Sequence, residues 1–365
     1  MPKQVTFNNK IDREFSDAVK AEVKEYFKKN NISKHANASM VIKTIVILSI
    51  YFGCYALILT GGFSLPIMWL LCIGMGIGIA GIGFSVTHDA LHGSYSSNSN
   101  VNYGLGLLFD FVGANGYIWK ITHNVIHHTY TNIHGHDEDL EVSDFIRLSP
   151  HTKHKPIHRL QHLLAFPAYS LATLFWLFVK DYWYFFKSPL GPFENKKHKA
   201  KEWVSLFFTK AICYGYTIAI PLIFLDITVG QFLIGFVSIH LTGGLILGVV
   251  FQLAHVVEET THPLPNEENM IEDHWVIHEM YTTNNFARKN KFLSWYIGGL
   301  NYQIEHHLFP NVCSIHYPNI SPIVERIAKE HDVPYNCHET FGEAVASHFR
   351  TLKKFGDPNF SFATA

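Results

Sequence analysis

The sequence predicts an all-α integral membrane protein: four transmembrane helices in two hairpins, interfacial helices between them, and a histidine-rich cap on the cytoplasmic side. Three observations predict it. Only 16% of the 365 residues are charged and 48% are hydrophobic, against roughly 25% charged in an average soluble protein. Four apolar runs, at about 40–60, 64–86, 205–226 and 230–254, reach the ~20 residues that cross a bilayer. The 29 Lys and Arg are absent from both short turns that would join these runs pairwise.

Residues 1–39 are polar and lysine-rich, with no apolar signal-peptide region, and read as a cytoplasmic segment. The first two spans turn through Gly61, Gly62 and Phe63, and the last two through Asp226 to Gly230. Nine basic residues occur up to residue 43. Eleven lie between Lys120 and Lys201, Lys210 opens the third span, and eight follow the fourth. Lys and Arg concentrate on the cytoplasmic side of membrane proteins, so both termini and the central region are expected there. The runs at about 101–118 and 163–179 are short or broken, by Asp110 in one and Pro167 in the other. Both are expected to be interfacial or re-entrant, because a fifth crossing would put the histidines on opposite faces. The membrane domain then runs over 40–330, with 331–365 as a cytoplasmic tail. A net charge of −1 gives no field toward nucleic acid. Cys54, Cys72, Cys213, Cys313 and Cys337 form no CxxC pair, so neither a disulfide framework nor a thiolate metal site is expected.

Histidine is the outlier, at 24 residues. His88 and His92 stand just past the second span at i, i+4 spacing, on one helical face. His123, His127 and His128 form an HxxxHH pattern. In an α-helix His123 and His127 share a face, and His128 is turned ~100° from its neighbour. His306 and His307 form a third cluster, and His255 ends the fourth span. All eight map to one side of the expected membrane. They are too many for one tetrahedral zinc; neutral imidazole suits iron, zinc and copper, and two irons with mostly nitrogen ligands would fit. Redox iron beside a membrane suggests oxygen chemistry on a lipid chain. Elsewhere, His151, His154, His158 and His162 form a ladder beside Lys153, Lys155 and Arg159 that reads as a basic face on the lipid surface. His240, in mid-span, reads as a helix-packing residue. His134, His136, His274 and His278 are marginal candidates.

The boxes His88-Asp89-Ala90-Leu91-His92, His123-Asn124-Val125-Ile126-His127-His128 and Gln303-Ile304-Glu305-His306-His307 resemble those of the membrane fatty-acid desaturases. The third box opens on Gln303 rather than histidine. With Gly298-Gly299-Leu300-Asn301-Tyr302 before it and Leu308-Phe309-Pro310 after it, it is similar to the front-end subgroup, which includes delta-5 and delta-6 acyl and delta-8 sphingolipid desaturases. Tyr130-Thr131-Asn132 followed by Asp137, Asp139 and Leu140 carries the same resemblance, which covers about 40–330. It implies two iron ions held by His88, His92, His123, His127, His128, His306 and His307, with His255 added. Gln303 would be a ligand or would bind one. Asp89, Asp137, Asp139 and Glu305 are the carboxylates that could orient imidazole N–H groups. The resemblance also implies O2 as co-substrate and a fatty-acyl lipid or acyl-CoA as substrate. Because no His-Pro-Gly-Gly stretch of a fused cytochrome b5 domain is present, it implies a separate donor, ferredoxin or cytochrome b5 with its reductase. The expected location is a bacterial inner membrane, or the endoplasmic reticulum in a eukaryote. Two rivals stay open from the residues alone. A membrane hydroxylase or ketolase could use a similar site. A metal transporter would place its ligands at mid-bilayer, whereas only His240 lies deep.

Overall fold

The computed structural model describes residues 4–141, 144–194 and 197–360. Helices dominate it: α1 (Arg13–Lys29), α2 (Ala38–Leu59), α3 (Leu65–Leu91), α4 (Ser99–Phe111), α5 (116–130), α6 (Pro156–Ser170), α7 (Ala172–Phe186), α8 (Ala200–Phe224), α9 (Val229–His255), α10 (Trp275–Thr282), α11 (Lys291–Tyr296), α12 (Gln303–Leu308), α13 (Tyr317–Glu330) and α14 (Phe341–Phe355). The strands described make two parallel two-stranded pairs. β1 (Thr6–Phe7) joins β2 (Met270–Ile271), and β3 (Asn285–Phe286) joins β4 (Cys337–His338).

Four helices are long and apolar enough to cross a membrane: α2, α3, α8 and α9. They fall where the sequence places its four spans. Their outward faces are apolar, with Ile42, Ile223, Phe224 and Ile234 each more than 60% exposed. Apolar faces this extensive belong against lipid. α9 packs along α3 through Gly76 and Gly243, where backbones approach closely; a Cβ at Gly243 would stand 3.2 Å from Gly76 O.

α6 and α7 are one helical segment bent by 57° at Leu171. The bend follows Pro167, which cannot donate a helical hydrogen bond. α9 seats it: a Cβ on Gly248 would stand 2.6 Å from the Tyr169 Cβ, and Gly244 faces the Ser170 carbonyl. By length and composition alone this bent pair could be a fifth span.

α1 presents Phe15, Val19 and Val23, an i, i+4, i+8 stripe, to a core shared with Val276, Ile304, Tyr317 and Val324. Packing does not stop at residue 330. β4 pairs with β3, and α14 places Ala344, Leu352 and Phe355 in the main core. The expected basic histidine face is organised differently. His151, His154 and His158 sit within hydrogen-bond distance of the carbonyls of His262, Gly356 and Asp144, so they tie the loop before α6, and α6 itself, to neighbouring loops and to the residue that follows α14. His240 lies 3.1 Å from the Thr173 hydroxyl, a helix-packing contact as expected.

Candidate metal centre

The histidine boxes arrive on three elements whose local geometry departs from a plain α-helix. Residues 82–87, just before His88, and 120–127, which carry the second box, are π-helical. Such wide turns are rare and frequent at functional sites. The second one changes the expected phase: His123 meets both His127 and His128, with ring centroids 5.0 and 4.8 Å apart. The third box rides on α12, which follows Gly298 and Gly299 at φ +64° and +70°. Only glycine adopts that conformation without strain, and Gly298 packs directly on the Phe84 carbonyl of α3. The double glycine thus presses the third box against the first.

All eight expected histidines come together. His88, His92, His123 and His306 form one group able to hold a cation; His127, His255 and His307 form another. His128 stands between them, its ring 4.5 Å from His306 and 4.4 Å from His307. Seven of the rings are buried and His92 is half-buried, and many of their nitrogens have no protein partner among the described residues. Nε2 of His92, His123, His127, His255, His306 and His307 lacks a hydrogen bond, as do both nitrogens of His128; His88 Nδ1, on the side of Asp89, lacks one as well. A buried polar atom without a partner is costly and rare; so many within one cluster fit metal cations. Burial first, then repulsion among neighbouring rings, holds His92, His123, His128, His306 and His307 well below the usual histidine range. These rings are therefore neutral, the form that ligates metals.

The far sides of the rings are anchored. Nδ1–H of His127 donates to Asp137 at 3.0 Å, and Nδ1–H of His307 to Glu279 at 2.7 Å. His255 donates to the Thr282 carbonyl at 3.2 Å, and His306 Nδ1 lies 3.2 Å from the Tyr317 hydroxyl. Burial opposes charge on His127, but the Asp137 carboxylate outweighs it and raises this one ring's pKa. Asp139 stands 3.6 Å from His123 Nδ1, and Asp89 3.9 Å from His88 Nδ1. Asp89 instead accepts from the Ser314 amide and hydroxyl at 3.1 and 2.8 Å, fixing the first box to the loop after the third. Glu305 reaches none of the rings; its carboxylate accepts from Asn285 Nδ2 and the Tyr335 hydroxyl. Gln303 lines the cavity beside His306 and donates its amide to the Leu300 carbonyl at 2.8 Å. Of the marginal candidates, His278 Nε2 contacts the Thr131 carbonyl, His274 caps α10, and His134 pairs with Glu141. Glu279, next to His278, escapes the sequence reading; no periodicity or box marks it. Burial pushes its pKa well above the usual carboxylate range.

A cavity of about 990 Å³ opens beside the first group. Its wall includes His88, His123, His306 and Gln303. The lining is largely apolar, with Leu91, Phe109, Leu164, Phe175, Trp176 and Leu247, and also carries Asp139, Glu141, Asp144 and Lys180. Both arms of the bent segment line it. Ligand cavities of this size, apolar with few polar groups, are ordinary for small-molecule sites.

The model of the fatty acid desaturase family matches residues 63–339. Curated relatives extend the likeness over nearly the whole sequence. The sn-1 linoleoyl-lipid 6-desaturase of Synechocystis sp. is 36% identical over 362 residues, covering 97% of this chain and 98% of the relative. The protein of the same name from Arthrospira platensis is 36% identical over 355 residues, 96% of this chain and 94% of its own. The acyl-lipid (8-3)-desaturase of Physcomitrium patens is 35% identical over 352 residues, 96% of this chain and 73% of its own. The chain belongs to the membrane fatty acid desaturase family, in its front-end subgroup, and is an oxidoreductase that desaturates fatty acyl chains.

Proposed function

We propose that this desaturase is a di-iron enzyme that introduces a double bond into a lipid-borne acyl chain, on the carboxyl side of an existing one. The observation that carries the reading is the cluster of unpartnered imidazole nitrogens beside a largely apolar cavity. One iron would be held by His88, His92, His123 and His306. The other would be held by His127, His255 and His307, with His128 between them. A di-iron centre bound there supplies the oxidising power: O2, two hydrogens from adjacent methylenes, two electrons and two protons become two waters and an alkene.

The protein's own residues hold and aim the substrate. A methylene far from the head group offers no charge to grip, so position must come from the shape of the cavity. Leu91, Phe109 and Trp176 confine the acyl tail and keep water from it, and the bend between α6 and α7 sets its path. Exposed apolar side chains at Phe145, Leu171 and Trp183 rim the cavity and suit entrance from the bilayer. Among the described residues Lys180 is the only Lys or Arg in its lining, and its Nζ stands 3.7 Å from Asp139. A coenzyme A carrier, with its several phosphates, would need more cations than this. The lipid-acting names of the relatives support the same choice.

We place α2 with α3, and α8 with α9, as two hairpins with cap and termini in the cytoplasm, following the distribution of Lys and Arg. His128 and His255 share one cluster with α8 and α9 between them, which supports a bent segment that enters the membrane and returns. We propose an electron donor of the ferredoxin or cytochrome b5 type and, as the location, a bacterial inner membrane or the endoplasmic reticulum.

The test is expression in a host supplied with polyunsaturated lipids and a matching donor, with mass spectrometry that locates double bonds. A new alkene on the carboxyl side of an existing one, absent from His127→Ala, is expected. A hydroxylated lipid without an alkene would overturn the reading.

A further inference from the structure

The histidines divide by what stands behind their rings. For the three rings that line the cavity, His88, His123 and His306, the rear contacts are long or uncharged. Asp89 is 3.9 Å from His88, Asp139 is 3.6 Å from His123, and His306 Nδ1 lies 3.2 Å from the uncharged Tyr317 hydroxyl. At 3.6 Å and beyond no hydrogen bond forms. In the group remote from the cavity, two of three rings donate Nδ1–H to a carboxylate, at 3.0 Å for Asp137 and 2.7 Å for Glu279. A carboxylate in that place fixes the ring's direction and makes the opposite nitrogen a stronger donor to metal.

The surroundings of Glu279 point the same way. Its side chain is fully buried. The Thr131 hydroxyl lies 3.0 and 3.3 Å from its two oxygens, and among the described residues no lysine or arginine pairs with it. Its short contact to His307 Nδ1 is then the route by which it would act on a cation held by that ring.

We propose that the two cation positions are unequal by construction. The cavity-remote position, held by His127, His255 and His307, retains its metal long after the cavity-facing one has lost its own, and Glu279 is the positioning residue that sets the difference. The inference rests on the di-iron reading above. It makes the ion nearest the acyl tail the exchangeable one.

The test is release of iron from the purified, iron-loaded, full-length protein in detergent, challenged with a ferrous chelator and followed by absorbance. Mössbauer spectra of ⁵⁷Fe-loaded protein are taken at half-release. Wild type is expected to lose its two ions in two phases of equal amplitude, with one spectral component surviving the first. His92→Ala is expected to hold one ion, released at the slow rate. Glu279→Gln keeps an acceptor for His307 but removes the charge. It is expected to speed the slow phase about 10–100-fold, the usual weakening when such a partner is lost, and Glu279→Asp to restore part of it. Tyr317→Phe should leave the slow phase unchanged. Release in a single phase from wild type would overturn the proposal. So would a slow phase that Glu279→Gln leaves untouched. Should Glu279→Gln fail to fold, wild type and His92→Ala decide the matter without it. A protein that never binds two irons would instead overturn the metal reading beneath.

Discussion

Lys210 and His127 are each about 1% exposed, yet their surroundings differ in kind. Lys210, within α8, spends its donors on the carbonyls of Gly113 and Trp176 and on Asp181, at 2.7, 3.0 and 2.7 Å. Nearby Asp110 accepts from Asn115 Nδ2 and the Gly116 amide. The charged groups of that network find their partners inside the protein, and the network ties α4, α7 and α8 together. His127 is satisfied on one side only. Its Nδ1 has Asp137, while its Nε2, like those of His255 and His307, has no partner among the described residues. Buried polarity that is complete marks structure; buried polarity left open within one cluster marks a site for something else.

That contrast breaks most visibly at Lys210. Lys210→Ala leaves Asp181 buried without its cation, and removing one partner of a buried pair is worth about 3–5 kcal/mol. Thermal unfolding in detergent should fall accordingly, while iron per folded protein stays at the wild-type value. Lys210→Met with Asp181→Leu removes both charges and should recover much of the loss. Iron lost in step with the single substitution would erase the distinction between the two networks.

The opposite pattern is expected of Asp137→Asn. Asp137 orients His127 and also accepts the Asn132 amide. Loss of its charge should lower turnover or iron affinity about 10–100-fold, with a much smaller effect on unfolding than Lys210→Ala. Product formation by mass spectrometry and iron per protein report it. A large drop in unfolding temperature with iron retained would make Asp137 a structural residue like Asp181.

Between these two in character stands the cavity wall. Ala172 lies on the second arm of the bent segment, facing the cavity. Ala172→Phe should obstruct the acyl path and cut turnover on the order of tenfold or more, since small misplacements of substrate are expensive, while both irons remain. Unchanged turnover and unchanged double-bond position would mean that the acyl tail runs elsewhere.

The spans and the eight histidines are legible in the sequence because both rest on local pattern: apolar runs of bilayer length, and boxes at helical spacing. What stays hidden depends on contacts between distant segments. Glu279 reaches His307 across 28 positions, and its immediate neighbourhood draws attention to His274 and His278 instead. Glu305, inside a box, reads as the better orienting group, but the short helix α12 turns it toward Asn285 and Tyr335. His123 and His127 stack as the spacing expects, but the approach of His128 to His123 is not foreseen, because a π-helical turn leaves no mark in a spacing rule that assumes 3.6 residues per turn. The histidine ladder of α6 reads as a lipid-facing surface because its carbonyl partners lie up to 202 positions away.

Gln303 is where the contrast is finest and the expected effect smallest. It occupies the position that opens the third box, and it borders the cavity together with His88, His123 and His306. Unlike those rings, its amide nitrogen is committed to the Leu300 carbonyl, a local anchor of the kind seen in the Lys210 network. That anchor turns the amide nitrogen away and leaves the amide oxygen as the atom that could meet a cation; we propose that Gln303 shapes the wall beside His306. Gln303→Ala removes one neutral hydrogen bond, worth about 1 kcal/mol. Turnover is expected to fall about fivefold, with two irons per protein retained. A fall to one iron would move Gln303 across the line, from residues that complete the protein's own network to those whose free atoms await a metal.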